Sequence, residues 1–424
     1  MIREKTGDNM APVAATRTMD KRRIAVVSPF LDPRYGTESR VLECLARLGE
    51  EYEFHVYSSR IEDLDPGRIT WHRVPEMPGP HLVKYLWWLA ANHVWRWWDR
   101  HVRGLRCEMT YTPGINCLDA DLVTVHIVFA EYVARAADDL SFRRAPVRGW
   151  PRLLHRRLYY RLIVALERVI YSRKSQRLLV ISRKTAQDLA RHYGRSEPLP
   201  VVYHGLNLAR FNPRQRVELR PMARRDLNLP DEHFAILLVG NDWVKKGLVY
   251  LIEALGRLAD PNVCLLVAGR DDPAPYQLLL RRNGLEGRVV FLPIRHDVES
   301  YYAAADVYVG PSLEDAFALP PAEAMACGLP VIASRLAGVS EVITHGEDGL
   351  ILEDPRDSAT LARLISQLRD QPEFRCRLGQ QAARTAQQYT WENNVARMRE
   401  MFEEILRDKV QAAGHTVPRE DPLR

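Results

Sequence analysis

The stretch Pro311-Ser-Leu-Glu-Asp-Ala-Phe-Ala-Leu-Pro-Pro-Ala-Glu-Ala-Met-Ala-Cys-Gly-Leu-Pro-Val-Ile-Ala-Ser334 decides how this chain is read. Residues 306–310 ahead of it form a short apolar run that reads as a buried strand, and residues 330–334 read as the next one. Between them Leu319-Pro-Pro321 marks a helix start, because proline is tolerated in the first helical turn. Asp315 and Glu323 therefore bracket a strand-to-helix turn at the carboxyl edge of a parallel sheet, where open α/β sheets bind ligands. Backbone N–H groups at a helix start attract anions, diphosphates included. One carboxylate before the helix and one a turn inside it suit hydroxyls placed around such a diphosphate. By itself the stretch also fits an ordinary amphipathic helix carrying two solvated acids.

Outward from that stretch, short apolar strands alternate with helical patterns, which argues for parallel sheets. Strand candidates are 24–28, 52–57, 109–111, 122–126, 177–181 and 200–203, then 235–240, 263–269, 289–292, 306–309, 330–333 and 349–352. Two doubly wound domains in tandem, with a cleft between them, is the simplest architecture. The expected boundaries are a disordered leader over 1–20, a first domain over 21–210, a second over 221–388, and an amphipathic helix over 389–412 with Thr390 as its N-cap. The polar stretch from Phe211-Asn-Pro213 to Arg225 reads as the linker, and residues 415–424 as a frayed end.

Composition bounds the function. The 424 residues are 46% hydrophobic and 27% charged, which is globular. The formal net charge is +6, yet residues 81–210 hold 22 Lys and Arg against 10 Asp and Glu. A basic half suggests a polyanionic surface: anionic lipid, a phosphorylated acceptor or nucleic acid. No recognised nucleic-acid module appears, so no nucleic acid is expected. The six cysteines are scattered, without a CxxC pair, which points to neither a disulfide framework nor a zinc site. The start is polar and no apolar run reaches the roughly 20 residues of a membrane span, so a cytoplasmic protein is expected, peripheral on the inner membrane face at most. Trp87, Trp88, Trp95, Trp97 and Trp98 interleave with Lys84, Arg96, Arg100 and Arg103, and residues 152–162 are basic and amphipathic. Interfacial helices combine Trp and Leu with Lys and Arg in this way, although large domains also bury such rings. A mixture is expected, with at least one segment exposed.

The 315–323 region resembles the Glu-x7-Glu segment of family-4 retaining glycosyltransferases of the GT-B fold. The resemblance extends over about residues 22–407. It implies two Rossmann-like doubly wound domains facing a cleft, with the C-terminal helix crossing back to the first domain. It implies sugar transfer from a nucleotide-diphospho-sugar, a co-substrate rather than a cofactor, to a glycolipid or cell-envelope polysaccharide acceptor. Asp315 then contacts the transferred sugar and Glu323 the nucleotide ribose. Glu314 is the competing sugar contact. The chain departs from the family where Asp replaces the first Glu and where Ala316 and Ala318 replace the usual glycines.

The remaining candidates follow the same resemblance. Gly240-Asn-Asp-Trp-Val-Lys-Lys-Gly247 corresponds to the family's Arg-x4-Lys-Gly. Lys246 matches its Lys, Asn241 stands at the Arg position, and Lys245 is placed to supply the missing charge. Fixed cations aimed at a leaving diphosphate stabilise the transition state more than the ground state. Phe317, Ala318 and Leu319 are expected to border the donor, and Arg295 with His296 to lie by the base. Gly36, in Asp32-Pro-Arg-Tyr-Gly-Thr-Glu-Ser39, is the surviving residue of a Gly-rich phosphate loop. His126, at the end of 122–126, is read as a sugar or acceptor contact, with a purely structural histidine as the alternative. Glu131 is a weaker candidate, its default being a solvated face. The segment 204–213 resembles the family's domain junction. Asp63-Leu-Asp65 and Asp271-Asp272 read as solvated loop acids, so no metal is expected. Two other readings remain open: a catalytically weak binding or scaffold protein with the same fold, and a sugar-nucleotide 2-epimerase.

Overall fold

The computed structural model describes residues 21–33, 36–62, 68–135, 150–295 and 297–414. These form two six-stranded sheets, parallel throughout. The first contains β1 (Arg22–Val27), β3 (Tyr52–Ser58), β5 (Ile69–Arg73), β6 (Met109–Pro113), β7 (Leu122–Val125) and β8 (Arg177–Val180), in the order β5-β3-β1-β6-β7-β8. A separate short pair joins β2 (Phe30–Leu31) to β4 (Arg60–Ile61). The second sheet contains β9 (Phe234–Val239), β10 (Val263–Ala268), β11 (Val289–Leu292), β12 (Val307–Gly310), β13 (Val331–Ser334) and β14 (Leu350–Leu352), in the order β11-β10-β9-β12-β13-β14. Both sheets use one scheme. Two strands are laid down to one side of the first, and the chain then returns to build three on the other. The winding reverses between β1 and β6 and between β9 and β12. Such reversals open a crevice beyond the strand carboxyl ends.

Helices cover both faces of each sheet. The first half carries α1 (Gly36–Leu48), α2 (His81–His101), α3 (Phe129–Arg135), α4 (Trp150–Tyr171) and α5 (Arg183–Tyr193). The second half carries α6 (Pro213–Asp226), α7 (Leu248–Leu258), α8 (Gln277–Arg282), α9 (Glu299–Ala304), α10 (Leu319–Ala326), α11 (Ser358–Asp370) and α12 (Pro372–Ala386). Because both faces are covered, central strands are apolar on both sides. In β9, Ala235 and Leu237 join one core, while Phe234, Ile236 and Leu238 join the other.

The last helix, α13 (Trp391–Gly414), returns to the first half. Val395, Met398, Phe402, Ile405 and Leu406 repeat at three- and four-residue intervals, the spacing of one helical face. They are buried in a core shared with Ile24, Val26, Leu45 and Phe54. Thr390 Oγ1 accepts from the Asn393 N–H at 3.1 Å, the cap expected for this helix. Its outer face is tied down by ion pairs of Arg399 with Glu51 and of Arg177 with Glu404.

Some expectations change. The presumed linker from Pro213 to Arg225 is mostly helix: α6 lines Arg216, Arg220 and Arg224 along one face. These arginines donate to the carbonyls of Ala303, Ala304 and Ala305 at the end of α9, and Arg220 and Arg224 also pair with Asp306. These acceptors, together with Leu219, Ala223 and Leu227 packed on the core, fold the segment, so its polarity misled. Residues 200–203 make a single bridge, Val201 to Val180, rather than a strand. The edge strand β5 escaped notice because Thr70 to Arg73 alternates weakly and is largely solvent-facing. The leader, Asp63 and Asp65, His296 and the tail from His415 lie outside the described residues.

Candidate active site

The loops that leave β9 and β12 flank the second reversal point. After β9, the chain turns tightly through residues 240–247. Asp271 fixes that turn by accepting from the Asp242 N–H at 3.1 Å and the Trp243 N–H at 2.6 Å. Asp271 is thus a loop staple rather than a solvated acid. The buried Trp243 ring donates from Nε1 to the Gly240 carbonyl at 3.0 Å. Gly247 closes the turn at φ +75°, and a Cβ there would lie 2.1 Å from the Pro311 carbonyl oxygen. Only glycine tolerates both conditions. The two loops are also joined directly, the Leu313 N–H donating to the Lys245 carbonyl at 2.8 Å.

That junction sets two lysines against two carboxylates. Lys246 Nζ lies 2.5 Å from Asp315 Oδ2, and Lys245 Nζ lies 2.9 Å from Glu314 Oε2. Burial alone would raise the Asp315 carboxyl. Lys246, its hydrogen bond and Lys245 outweigh that, and the group sits below the ordinary carboxylate value. Burial likewise opposes charge on Lys245, but Glu314 and Asp315 more than reverse it and push the amine up. Asp315 and Lys246 remain partly open to solvent, while Glu314 is buried. Of the two neighbouring acids, Asp315 is the one exposed to a ligand.

Downstream, Ala318 takes φ +68° and ψ +90° as the residue before α10. A side chain there is strained, which accounts for the position suiting glycine. Pro320 and Pro321 carry no N–H, so the start of α10 offers an anion fewer backbone donors than a typical helix. Phe317 is 2% exposed and packs its ring on Tyr203 and His204, so its side chain belongs to the core. Glu323, on α10, accepts from the Tyr302 hydroxyl at 2.7 Å. Burial raises its carboxyl, with that bond and Arg210 acting in the opposite sense. Leu319 is half-buried at the first turn of α10. Arg295 is turned toward its own loop, pairing with Asp297 at 3.0 Å and lying over the Tyr301 ring.

The first half supplies a different surface. His126 follows β7 directly, and both its ring nitrogens are buried without a hydrogen-bond partner among the described residues. Its ring centroid is 6.0 Å from that of His204, which in turn lies 5.3 Å from Phe317. Arg40, on α1, is 1% exposed. Its Nη2 reaches Met398 Sδ at 3.8 Å, and Nε and Nη1 have no partner among the described residues. Burial, and then the neighbouring Arg40 cation, drive His126 well below the ordinary imidazole value and His204 to about 3. Asp315 acts against that shift at His204. Gly36 is the exposed first residue of α1, on the same side of the first sheet's reversal.

Sequence reasoning missed Arg40. The available signal was a cation on the otherwise apolar face of α1 formed by Val41, Cys44, Leu45 and Leu48. Glu131 is not a solvated acid: it is 5% exposed and ties α3 to α5 through Arg191 at 3.0 Å and His192 at 2.7 Å. No group of three or more His, Cys, Asp or Glu able to hold a metal occurs among the described residues.

Two parallel doubly wound halves, a crossing C-terminal helix and a Lys/Asp cluster at the cleft define the GT-B class. Two family models match: Glycosyltransferase Family 4 over residues 35–210 and Glycosyl transferases group 1 over residues 220–385. The chain belongs to the family-4 glycosyltransferases. The D-inositol 3-phosphate glycosyltransferase of Thermomonospora curvata is 32% identical over 246 residues, covering 54% of this chain and 57% of that protein. The chain thus spans little more than half the length of that curated relative. Among solved structures, WaaG, a glycosyltransferase involved in lipopolysaccharide biosynthesis, matches with a TM-score of 0.73 at 21% identity, over 89% of this chain and 99% of that one. HepE of Anabaena in complex with UDP-glucose matches with a TM-score of 0.67 at 19% identity, over 90% and 99%. At those identities the likeness is one of fold.

Proposed function

We propose that this protein moves a sugar from a nucleotide-diphospho-sugar to an acceptor hydroxyl, with retention at the anomeric carbon and without a metal ion. The observation that carries the reading is the Lys246–Asp315 pair, set with Lys245 between the loops after β9 and β12. On this reading the C1–oxygen bond to the diphosphate breaks while the acceptor oxygen bonds C1 from the same face. The acceptor proton passes to a diphosphate oxygen, so no separate base is needed. Lys245 and Lys246 stabilise the charge gained by the leaving group, the role a metal plays elsewhere. Asp315 holds the sugar, Glu323 the ribose, and neutral His126 a sugar or acceptor hydroxyl. A donor-hydrolysis screen over UDP-, GDP- and ADP-sugars without added metal tests this. Released sugar from one donor is the expected result, and no release or transfer from any donor sinks the reading. A product in which sugar and nucleotide stay joined favours the epimerase.

The acceptor is proposed to be a glycolipid or envelope polysaccharide intermediate met at an anionic membrane surface. WaaG, of similar fold, is a glycosyltransferase involved in lipopolysaccharide biosynthesis. No helix among the described residues is long and apolar enough to cross a membrane. Instead α2 exposes Val83, Leu86, Trp87, Val94, Trp97 and Trp98, while Trp88 turns inward at 4% exposure. Leu154 and Leu158 are exposed on α4 beside Arg156 and Arg161. Apolar rings flanked by cations suit reversible docking, each basic residue near an anionic surface adding about 1 kcal/mol. Flotation with anionic vesicles at low salt, lost as salt rises, is the expected result. A protein that stays in the soluble fraction refutes docking and leaves transfer untouched.

A further inference from the structure

The start of α5, in the first half, meets a carboxylate from the second. Glu341 accepts from the Arg183 N–H at 2.7 Å through Oε2 and from the Lys184 N–H at 2.6 Å through Oε1. The Tyr203 hydroxyl donates to Oε2 at 3.2 Å. A carboxylate on the free N–H groups of a helix start is held by charge-assisted bonds and by the helix dipole. Beside it, Lys184 Nζ bridges the halves, 2.9 Å from Asp188 and 3.2 Å from Glu314. Glu314 is therefore clamped by one lysine from each half, Lys184 and Lys245.

Glu341 does not hang from an isolated loop. Its segment is bonded along the backbone to the catalytic loop: Asp315 N–H to the Leu336 carbonyl at 3.2 Å, Gly338 N–H to the Asp315 carbonyl at 3.1 Å, and Val339 N–H to the Phe317 carbonyl at 2.6 Å. A Cβ on Gly338 would fall 2.1 Å from the Ala316 carbonyl oxygen and 2.9 Å from Cβ of Ser182, the N-cap of α5. The glycine lets cap and catalytic loop press on the same short segment. These polar links lie beside the Phe317 ring packed on Tyr203 and His204, and relative motion of domains is the default across interfaces within a chain unless they are large and apolar.

We propose that Glu341 and Lys184 are positioning residues that couple closure of the two halves to the placement of Asp315. The proposal rests on the transferase reading above. With the halves together, α5 grips Glu341 and Glu314, and the 336–341 segment holds the 315–317 backbone in place. With the halves apart, water replaces both grips and the carboxylate loop loses its brace. In this proposal both residues act through the 314–317 loop rather than on donor or acceptor, so their loss should slow the chemical step without weakening diphosphate binding. A misplacement of about 1 Å at a reacting group can cost on the order of 100-fold.

The full chain tests this with Glu341→Gln, Lys184→Met and Lys184→Arg. Glu341→Gln is expected to lower kcat by about 10- to 100-fold, while calorimetry with the free nucleoside diphosphate stays within about twofold. Small-angle scattering at saturating diphosphate should show a more open particle than wild type. Lys184→Met should act in the same direction, and Lys184→Arg should restore kcat because the bridge to Glu314 is kept. Unchanged kcat and scattering in an active background overturns the latch and leaves the transferase reading standing. Diphosphate affinity falling in step with kcat also overturns it, since that marks a binding role. If wild type turns over no donor, the transferase reading fails and scattering alone judges the latch: a more open Glu341→Gln supports it, an unchanged one overturns it.

Discussion

The two halves of this molecule share one winding scheme yet prepare their faces of the cleft in opposite ways. In the second half the loops at the reversal point are charge-paired: Lys246 answers Asp315, and Lys245, joined by Lys184 of the first half, answers Glu314. In the first half the corresponding face is left wanting: Arg40 is buried, and Arg40 and His126 carry nitrogens without a partner among the described residues. A charge cluster that is paired within itself is stable without ligand and has pairs to exchange when one arrives. A buried cation without a partner costs stability, which a protein retains only where something else offsets it. The lesson is that topology places a site but does not decide its electrostatics. Side chains at equivalent reversal points have been used once to neutralise and once to polarise.

The largest effect should come from the paired half. Lys246→Ala should lower turnover by about 100-fold or more, the scale of removing one transition-state charge stabiliser. Melting temperature should move little, because the amine is partly exposed and Lys245 remains beside the acids. Steady-state kinetics and a thermal melt check both halves of the statement. Wild-type turnover in a folded variant would break the contrast drawn above, since the paired cluster would then be structural only.

A finer division follows within that cluster. Asp315→Asn should reduce turnover by about tenfold or more while diphosphate affinity holds. Glu323→Gln should weaken diphosphate binding by roughly tenfold, as a charge-assisted bond becomes a neutral one. Calorimetry with the nucleoside diphosphate alone separates the two. If Asp315→Asn harms that binding more than Glu323→Gln does, sugar and ribose roles have been exchanged.

The unpaired half makes a prediction of the opposite sign. Arg40→Met keeps much of the side-chain volume and the contact with Met398 but removes the buried charge. Replacing buried ionic groups by apolar ones is often neutral or stabilising by about 1–4 kcal/mol. The ligand-free variant should therefore melt higher than wild type in denaturant or heat. A variant that melts lower would show that Arg40 is a structural cation, and the contrast between the halves would collapse.

How much of this was legible follows the same division. The second-half site could be read because its chemistry sits in short local strings: Lys245-Lys246-Gly247 after one strand, and Asp315 to Glu323 around one helix start. The fold was legible because buried parallel strands are continuous apolar runs. Segment 213–225 was misread as linker since much of its order comes from arginines bonding to distant carbonyls, and its apolar stripe is as narrow as Leu219 and Ala223. Glu341 and the Glu314 bridge were out of reach for a related reason. Their partners lie more than a hundred residues away in sequence. Ala318 was noticed as a departure from glycine, but only its φ of +68° shows what that departure costs.

The smallest predicted effect lies at the entrance of the unpaired half and depends on pH. Glu38, in the first turn of α1, has its carboxyl raised to about 7, first by burial and then by Asp32, against a backbone hydrogen bond that lowers it. The folded state thus favours the protonated form relative to an ordinary value of 4.5. Native protein binds more protons than unfolded protein across that interval, so stability falls as pH rises. The contribution is fully present below about 4.5 and is lost as pH rises through about 7. The same ionisation places a second negative charge beside Asp32, two residues from Gly36, where the donor diphosphate is expected. Diphosphate affinity should accordingly weaken by about two- to fivefold between pH 6 and pH 8, the size of a screened like-charge repulsion near a surface. Glu38→Gln should flatten both dependences. Equal pH slopes in wild type and Glu38→Gln would show that the residue faces away from the diphosphate.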